Sequence, residues 1–368
     1  TSDSEDIEGL FAREKSVPAP RTAASPDGSW HASFPSESEV ELVQGEGHTQ
    51  AAFSLGTEAK TRCFFYQEPV DAGQAIQAIL NNMAETVQFK DLVAYRVTVA
   101  QRTPVVFVEG LYVVESTDGK KMGGLKLAVS PRHQVPVFCF LDEPGYKETF
   151  VSAVANVLST LEVKEPQKEL PYAEIWEASI DGKPLGFQWL YKLEPGQGKQ
   201  TSISLSAMFV PTAPGALAIS DELEMFDSDA GGIVAGTFFK SEGGRVIYDL
   251  EMSRSARSKF KVRGKTLDKD FETEFTAPRL SDDIAFYRFL LKGKDTKLEA
   301  SEYTPSFDPT KVNQVTYLLD KAARSVKVQV NDISLVGSLD ESGLPAELST
   351  KAGSGEFKQK IIYRAGTP

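Results

Sequence analysis

Arg257-Ser258-Lys259-Phe260-Lys261-Val262-Arg263-Gly264-Lys265, followed after a short break by Asp270-Phe271-Glu272-Thr273-Glu274-Phe275, decides how the larger half of this chain is built. Side chains alternate between the two faces of a strand, so Arg257, Lys259, Lys261, Arg263 and Lys265 all point to one face. In the second run Asp270, Glu272 and Glu274 share a face, while Phe271 and Phe275 take the other. With residues 266–269 as the loop, Lys265 faces Asp270, Arg263 faces Glu272 and Lys261 faces Glu274. Opposed charges of this kind contribute about 0.2–1 kcal/mol per pair. A basic row alone would read as a phosphate-binding stripe. The acidic partner row makes it a solvated cross-strand ladder in an antiparallel hairpin.

The same period of two extends outward from this hairpin. Ile203, Leu205, Ala207 and Phe209 interleave with Ser202, Ser204, Ser206 and Met208. Val246, Tyr248, Leu250 and Met252 alternate with Ile247, Asp249 and Glu251, and Val326, Val328 and Val330 with Ser325, Lys327 and Gln329. Such alternation marks strands with one buried and one wet face. Asp181-Gly182-Lys183, Pro195-Gly196-Gln197-Gly198 and Glu242-Gly243-Gly244 supply turns between them. Residues 172–366 are therefore expected to form one large, strongly curved antiparallel β-domain.

Upstream the pattern changes. Residues 29–164 read as short strands near 51–55, 63–66, 94–100, 105–114, 124–129 and 135–141, interrupted by two helices. The first, over 71–82, places Ala72, Ala75, Ile76, Ile79, Leu80 and Met83 on one face with Asp71 as N-cap. The second, over 146–161, carries Phe150, Val151, Val154, Val157, Leu158 and Leu161 at helical spacing. This order predicts an α+β fold class: an antiparallel sheet with packed helices, then the curved antiparallel β-domain. Lys164-Glu165-Pro166-Gln167-Lys168-Glu169-Leu170-Pro171 reads as the linker. Residues 1–28, acidic and then punctuated by Pro18, Pro20 and Pro26, read as a flexible tail. Two domains suit a chain of 368 residues.

Cys63 and Cys139 are the only cysteines, and their surroundings are alike. One reads Cys63-Phe64-Phe65-Tyr66-Gln67-Glu68-Pro69, the other Cys139-Phe140-Leu141-Asp142-Glu143-Pro144. A disulfide between them is favoured over two buried free thiols, and over a nucleophile activated by His31, His48 or His133. A disulfide places the chain outside the reducing cytosol. No run approaches the roughly 20 apolar residues that span a bilayer. No Asn-x-Ser/Thr sequon occurs, and the opening Thr1-Ser2-Asp3-Ser4-Glu5-Asp6 reads as a processed end with an export signal upstream. A periplasmic protein, or the ectodomain of an outer-membrane-anchored lipoprotein, is the expectation. The formal charge of -12 argues against nucleic acid or an anionic membrane as main partner.

The first half, through Trp30, Phe34-Pro35 and the closing Val157-Leu158-Ser159-Thr160-Leu161, resembles the PsbP-like domains, which implies a non-catalytic assembly or binding fold. The second half resembles the β-rich envelope domain that accompanies bacterial transglutaminase-like proteins. Its matching lines are Trp176 with Asp181-Gly182-Lys183-Pro184-Leu185-Gly186-Phe187, Glu224-Met225-Phe226-Asp227, Phe307-Asp308-Pro309, and Leu339-Asp340-Glu341-Ser342-Gly343-Leu344-Pro345. It is similar in kind to the LolA and RseB half-barrels, which cup lipid or lipoprotein. The transglutaminase cysteine and histidine do not carry over, because no histidine occurs after His133 and no cysteine after Cys139, both upstream of this half. The resemblance thus implies an accessory or binding module without the enzyme.

Other motifs reduce to turn chemistry. Asp227-Ser228-Asp229-Ala230-Gly231-Gly232 lacks the ligands that complete a calcium loop. Gly196-Gln197-Gly198-Lys199-Gln200-Thr201 has Leu193 and Gln200 where a phosphate loop needs glycine and Ser/Thr. The three histidines and two cysteines lack zinc spacing. We therefore expect no catalytic residues, no metal and no cofactor, and no ligand residues are assignable. The functional expectation is a non-catalytic cell-envelope binding or scaffolding module whose partner is an envelope protein or lipid component. The alternatives are a lipid or lipoprotein carrier using the concave face of the second sheet, and a hydrolase. Ligand identity and oligomeric state are not set by the sequence.

Overall fold

The structure, a computed structural model, describes residues 2–131, 134–165 and 170–368, with side chains at 2–6, 94–95 and 352 left aside. His133 and residues 166–169 of the expected linker lie outside the described residues. The chain divides into two compact units: Thr1–Lys168 with Phe209–Ile219, and Glu169–Met208 with Ser220–Pro368.

The first unit contains α1 (Ser2–Phe11), β1 (Pro20–Ala24), β2 (Trp30–Pro35), β3 (Glu41–Gly45), β4 (His48–Phe53), β5 (Thr61–Tyr66), α2 (Ala72–Ala84), β6 (Gln88–Ala100), β7 (Thr103–Ser116), β8 (Gly119–Ser130), β9 (Val137–Asp142), α3 (Lys147–Thr160) and β10 (Glu162–Val163). Seven strands form an antiparallel sheet in the order β3-β4-β5-β9-β8-β7-β6, and β1-β2-β10 form a smaller one. Phe53, Phe65, Phe107 and Leu141 of the sheet, Phe34 of β2, and Phe150, Val154, Val157 and Leu158 of α3 share one core.

The expected α+β class is overturned: 60% of the chain is strand and 12% helix, so the molecule is mostly β, built on three antiparallel sheets. Strands β6, β7 and β8 run 13, 14 and 12 residues, well past the apolar stretches that reveal them in sequence. Their ends, such as Gln88-Phe89-Lys90-Asp91 and Gly119-Lys120-Lys121, are polar and therefore silent to a hydrophobic pattern. Residues 1–28, expected as a tail, instead contribute α1 and β1, the latter paired to β2 from Pro20↔Pro35 to Ala24↔His31. Glu14 also reaches α3, accepting the amides of Glu148 and Thr149 at 2.9 Å each. The N-cap residue Tyr146 makes no side-chain bond there, so a carboxylate far away in sequence caps this helix.

The second unit contains β11 (Tyr172–Ile180), β12 (Lys183–Gly196), β13 (Lys199–Ala213) as far as Met208, β14 (Ala216–Asp229) from Ser220 on, β15 (Gly232–Glu242), β16 (Arg245–Ala256), β17 (Lys259–Thr266), β18 (Lys269–Thr276), α4 (Asp283–Lys292), β19 (Lys297–Glu302), β20 (Asn313–Asp320), β21 (Ser325–Val330), β22 (Ile333–Leu339), β23 (Pro345–Ala352) and β24 (Gly355–Gly366). They make one fourteen-stranded sheet in which sequence neighbours pair, except that β11 lies between β12 and β24. The β17–β18 register is Lys265↔Asp270, Arg263↔Glu272 and Lys261↔Glu274, as the alternation implies. On the other side Asp249 and Glu251 of β16 face Lys265 and Arg263. The basic row thus lies between two acidic rows, and Lys261 pairs diagonally with Glu272 at 2.8 Å.

The chain between the two edge strands, β18 and β19, forms α4. Asp282 caps it by accepting the Ala285 amide at 2.9 Å, and Gly293 ends it at φ 66°. Ile284, Phe286, Tyr287 and Leu290 pack with Tyr172, Leu190, Val315 and Tyr317 on the inner face of the sheet. Tyr303, just past β19, stacks on Phe275 of β18 at 5.1 Å between ring centroids. That contact draws the two edges together, so the sheet curls around α4.

Candidate functional site

Cys63 and Cys139 are directly opposed on β5 and β9 and joined by a disulfide. Both are 0% exposed, so the bond braces the core of the first unit and offers no reactive sulfur. His31 lies 3.2 Å from the Glu162 carboxylate on the surface, and His48 packs beside Phe64 and Tyr66. Neither belongs to the second unit. The 227–232 stretch is the β14–β15 turn, held by the Gly231 amide donating to Asp229 at 2.7 Å. Residues 196–201 span the β12–β13 turn. Among the described residues no group of His, Cys, Asp and Glu is placed to hold a metal ion. No helix among them is long and apolar enough to cross a membrane.

Residues the sequence left unassigned build a cleft on the inner face of the second unit. Strand β13 sets its wall. Gln188↔Ser206, Leu190↔Ser204 and Lys192↔Ser202 are cross-strand partners, so the serines share a face with Leu190 of the inner core. The serine parity of β13 therefore faces the inner core, while the opposite parity, with Ile203, Leu205, Ala207 and Phe209, lies on the other face beside Trp189 and Tyr191, where Ala207, Phe209, Trp189 and Tyr191 are buried as well. An open cleft of about 440 Å³ is lined by Ser204, Ser206, Met208, Gln188, Phe357, Gln359 and Phe307, with Glu222 and Glu224 in its floor. It meets a smaller cavity of about 30 Å³ bounded by Ser202, Glu224, Asp282, Asp283, Glu302, Phe226 and Tyr303. Ser204, Glu224 and Thr304 line both. The larger volume is in the range of small-molecule sites, apolar walls with a few convergent polar groups.

The amides and hydroxyls of the wall are organised. Gln359 donates to Gln188 at 3.1 Å and Gln188 donates to Ser204 at 3.0 Å. Ser202 donates to Asp282 at 2.8 Å, Tyr248 to Glu222 at 2.8 Å, and Tyr317 to Glu302. Burial holds the Glu224 carboxyl well above the carboxylate range, and Glu222, Asp283, Glu302 and Asp282 add repulsion. Burial likewise raises Asp283 to about 7, with Glu174 and Asp282 contributing, and Glu302 to about 8, with Asp283 and Asp282 contributing. No lysine, arginine or histidine lines either space. These are carboxyls brought together without a cation.

The neighbouring carboxylate Glu174 shows the opposite treatment. It accepts from Tyr172 at 2.6 Å, Trp176 at 2.7 Å, Tyr287 at 2.5 Å and Arg364 at 3.0 and 3.1 Å. Arg364 also donates to Asp340 at 2.5 Å and to the Pro345 carbonyl at 2.6 Å. Every charge in that network has a partner, so it is a brace between β11, β24 and α4 and leaves nothing for a ligand.

No family model matches the sequence, and no curated protein does. Among solved structures, a β-barrel-like protein of the domain of unknown function DUF1849 from Brucella abortus is similar at 11% identity. The match covers 54% of this chain and 98% of that one, with a TM-score of 0.41. A crystal structure from Bacteroides thetaiotaomicron is similar at 13% identity over 42% of this chain and 52% of that one, with a TM-score of 0.26.

Proposed function

We propose that this chain is a non-catalytic binding module of the bacterial cell envelope whose ligand enters the cleft on the inner face of the second unit. The observation that carries this reading is the open 440 Å³ cleft with Met208, Phe307 and Phe357 among its apolar walls and amides, hydroxyls and carboxyls among its polar ones. The buried disulfide supports an oxidising compartment, and hence the periplasm or an anchored ectodomain facing it.

The clustered carboxyls favour one competing reading, a hydrolase working through a carboxyl pair. Such chemistry needs surroundings that push two pKa values apart, leaving one group protonated and one ionised. Glu224, Asp283 and Glu302 are all pushed upward in the same direction, so no acid–base pair is distinguished among these three. Native mass spectrometry of the full chain isolated from envelope fractions tests the proposal. A low-molecular-mass adduct that disappears on solvent extraction is expected. A chain that stays at its bare mass even with excess amphiphile present would sink the reading, and turnover abolished by Glu302→Gln would favour the hydrolase.

A further inference from the structure

Strand β3 ends the seven-stranded sheet of the first unit and pairs only with β4. Its Gly45↔His48 pair closes on the two-residue loop Glu46-Gly47, so Glu41, Val43 and Gly45 direct their backbone groups to β4. Those of Leu42 and Gln44 point away from the sheet, and no backbone group among the described residues meets them. Such a row is a template for another strand. The other sheet edges are blunted. On β19, Ser301 exchanges backbone bonds with Arg279 and Ser281 at 2.9 and 2.8 Å. Thr273 of β18 donates to the Thr310 carbonyl at 3.2 Å. Gly215 lies against the Phe89 carbonyl of β6 in the same unit. Strand β1 opens on Pro20, two residues after Pro18, and β10 is two residues long.

The face beside this open edge is apolar where an edge strand is ordinarily charged. Val43, at its middle, is 59% exposed. The cross-strand row runs Val43↔Gln50↔Phe64, so these three side chains share the face turned away from the core that holds Phe65. Phe64 in turn packs with Tyr66 and Phe140, at 6.4 and 6.1 Å between ring centroids, all three rings half-buried. An apolar strip therefore runs up to an edge whose hydrogen-bonding groups are free.

We propose that β3 is the interface for a second copy of this chain, the two strands pairing antiparallel about Val43. Centred there, Leu42 of each copy exchanges backbone bonds with Gln44 of the other, which satisfies every free group of that pair. Val43 then meets Val43 at a non-hydrogen-bonded position, where side chains approach most closely. The charges agree with this register. Glu41, held by Lys60, comes opposite Gly45, over which the His48 ring lies, so an acid meets an imidazole. Beyond the strand Glu46 meets Val40 and Glu39 meets Gly47. A slip of one residue would oppose Glu41 to Glu46 in one direction and Glu39 to Glu46 in the other, and like charges directly opposed are destabilising. Five residues a side make a small interface, so the association is weak and reversible.

Analytical ultracentrifugation of the full chain over a hundredfold range of concentration should show a monomer–dimer equilibrium. Val43→Lys and Val43→Glu each set like charges against one another at the two-fold axis and should weaken the dimer at least tenfold. An equimolar mixture of the two should restore it, and the melting temperature of each variant confirms folding. Val43→Cys captures a transient pair: under mild oxidation it should form a disulfide-linked dimer, and Glu41→Cys, whose partner is Gly45, should not. A chain that stays monomeric throughout, with Val43→Cys cross-linking no faster than Glu41→Cys, overturns the proposal. So does a dimer that Val43→Lys and Val43→Glu leave intact, or a mixture of the two that stays monomeric. Cross-linking of Val43→Cys to a different envelope protein in place of its own copy assigns the edge to that partner's strand and likewise overturns self-pairing.

Discussion

Glu174 and Glu224 are both inward-facing carboxyls of the second unit, and their surroundings treat them in opposite ways. Glu174 is 1% exposed and receives donors from two tyrosines, a tryptophan and Arg364. Removing one partner of a buried ion pair costs about 3–5 kcal/mol, because the other charge stays behind uncompensated. Glu174→Gln should therefore destabilise the second unit by that order, measured as a lower denaturant midpoint. Glu224→Gln relieves a carboxyl held above its ordinary range by burial and by the neighbouring Glu222, Asp283, Glu302 and Asp282, so the same measurement should show no loss and a gain near neutral pH. Glu14 lies between these cases: it caps α3 from a segment that reads as tail, and Glu14→Ala should cost about 1 kcal/mol. In sequence none of the three declares itself. Yet Glu174 shares strand parity with Tyr172 and Trp176, Glu224 with Phe226, and Glu302 with Leu298 and Ala300. An acid on the apolar parity of a strand is a signal a reader could have used.

At the scale of elements, the alternation in β17 and β18 fixes both pairing and register, since a one-residue slip would set phenylalanines against the charge ladder. The mixed first half was less legible. Its helices announce themselves by periodicity, but β1, β3 and β10 carry too few apolar residues to stand out. The serine face of β13 misleads for another reason: the strand is covered on both faces, Ser204 and Ser206 lining the polar cleft and Ala207 and Phe209 buried on the other side, so neither face is the wet one that alternation implies. The ladder hairpin also contains Gly264 at φ +149°, where an added Cβ would run into the Asp249 carbonyl oxygen. Gly264→Ala should cost about 1–3 kcal/mol in thermal unfolding. Opposing it, Lys261→Ala on the same strand should cost less than about 1 kcal/mol, and less still in high salt. In the first unit, replacing Cys63 and Cys139 by serine opens a loop of 76 residues and should remove about 2–4 kcal/mol.

For the molecule as a whole, the carboxyl cluster sets a pH dependence. Asp283 and Glu302 titrate from ordinary values of 3.8 and 4.5 when unfolded and are held near 7 and 8 when folded. Their folded-state pKa values are raised, so the associated stability is complete below about pH 4 and is lost as pH rises through 7 to 8. The melting temperature should accordingly increase as pH is lowered from 8 to 5. A Glu224→Gln, Asp283→Asn, Glu302→Gln triple variant should flatten that slope. The sheet adds a consequence of a different sort. Its central pairing joins β11 to β24, with Tyr172 opposite Gly366 and Glu174 opposite Arg364. During synthesis β11 leaves the ribosome long before its partner strand exists, and Glu174 must wait for a cation 190 residues further along the chain. A chain released before Arg364 would keep thirteen of the fourteen strands' worth of pattern and still hold an unmatched charge at its centre. The seam between β11 and β24 therefore makes completion of the sheet's centre depend on synthesis having reached Arg364.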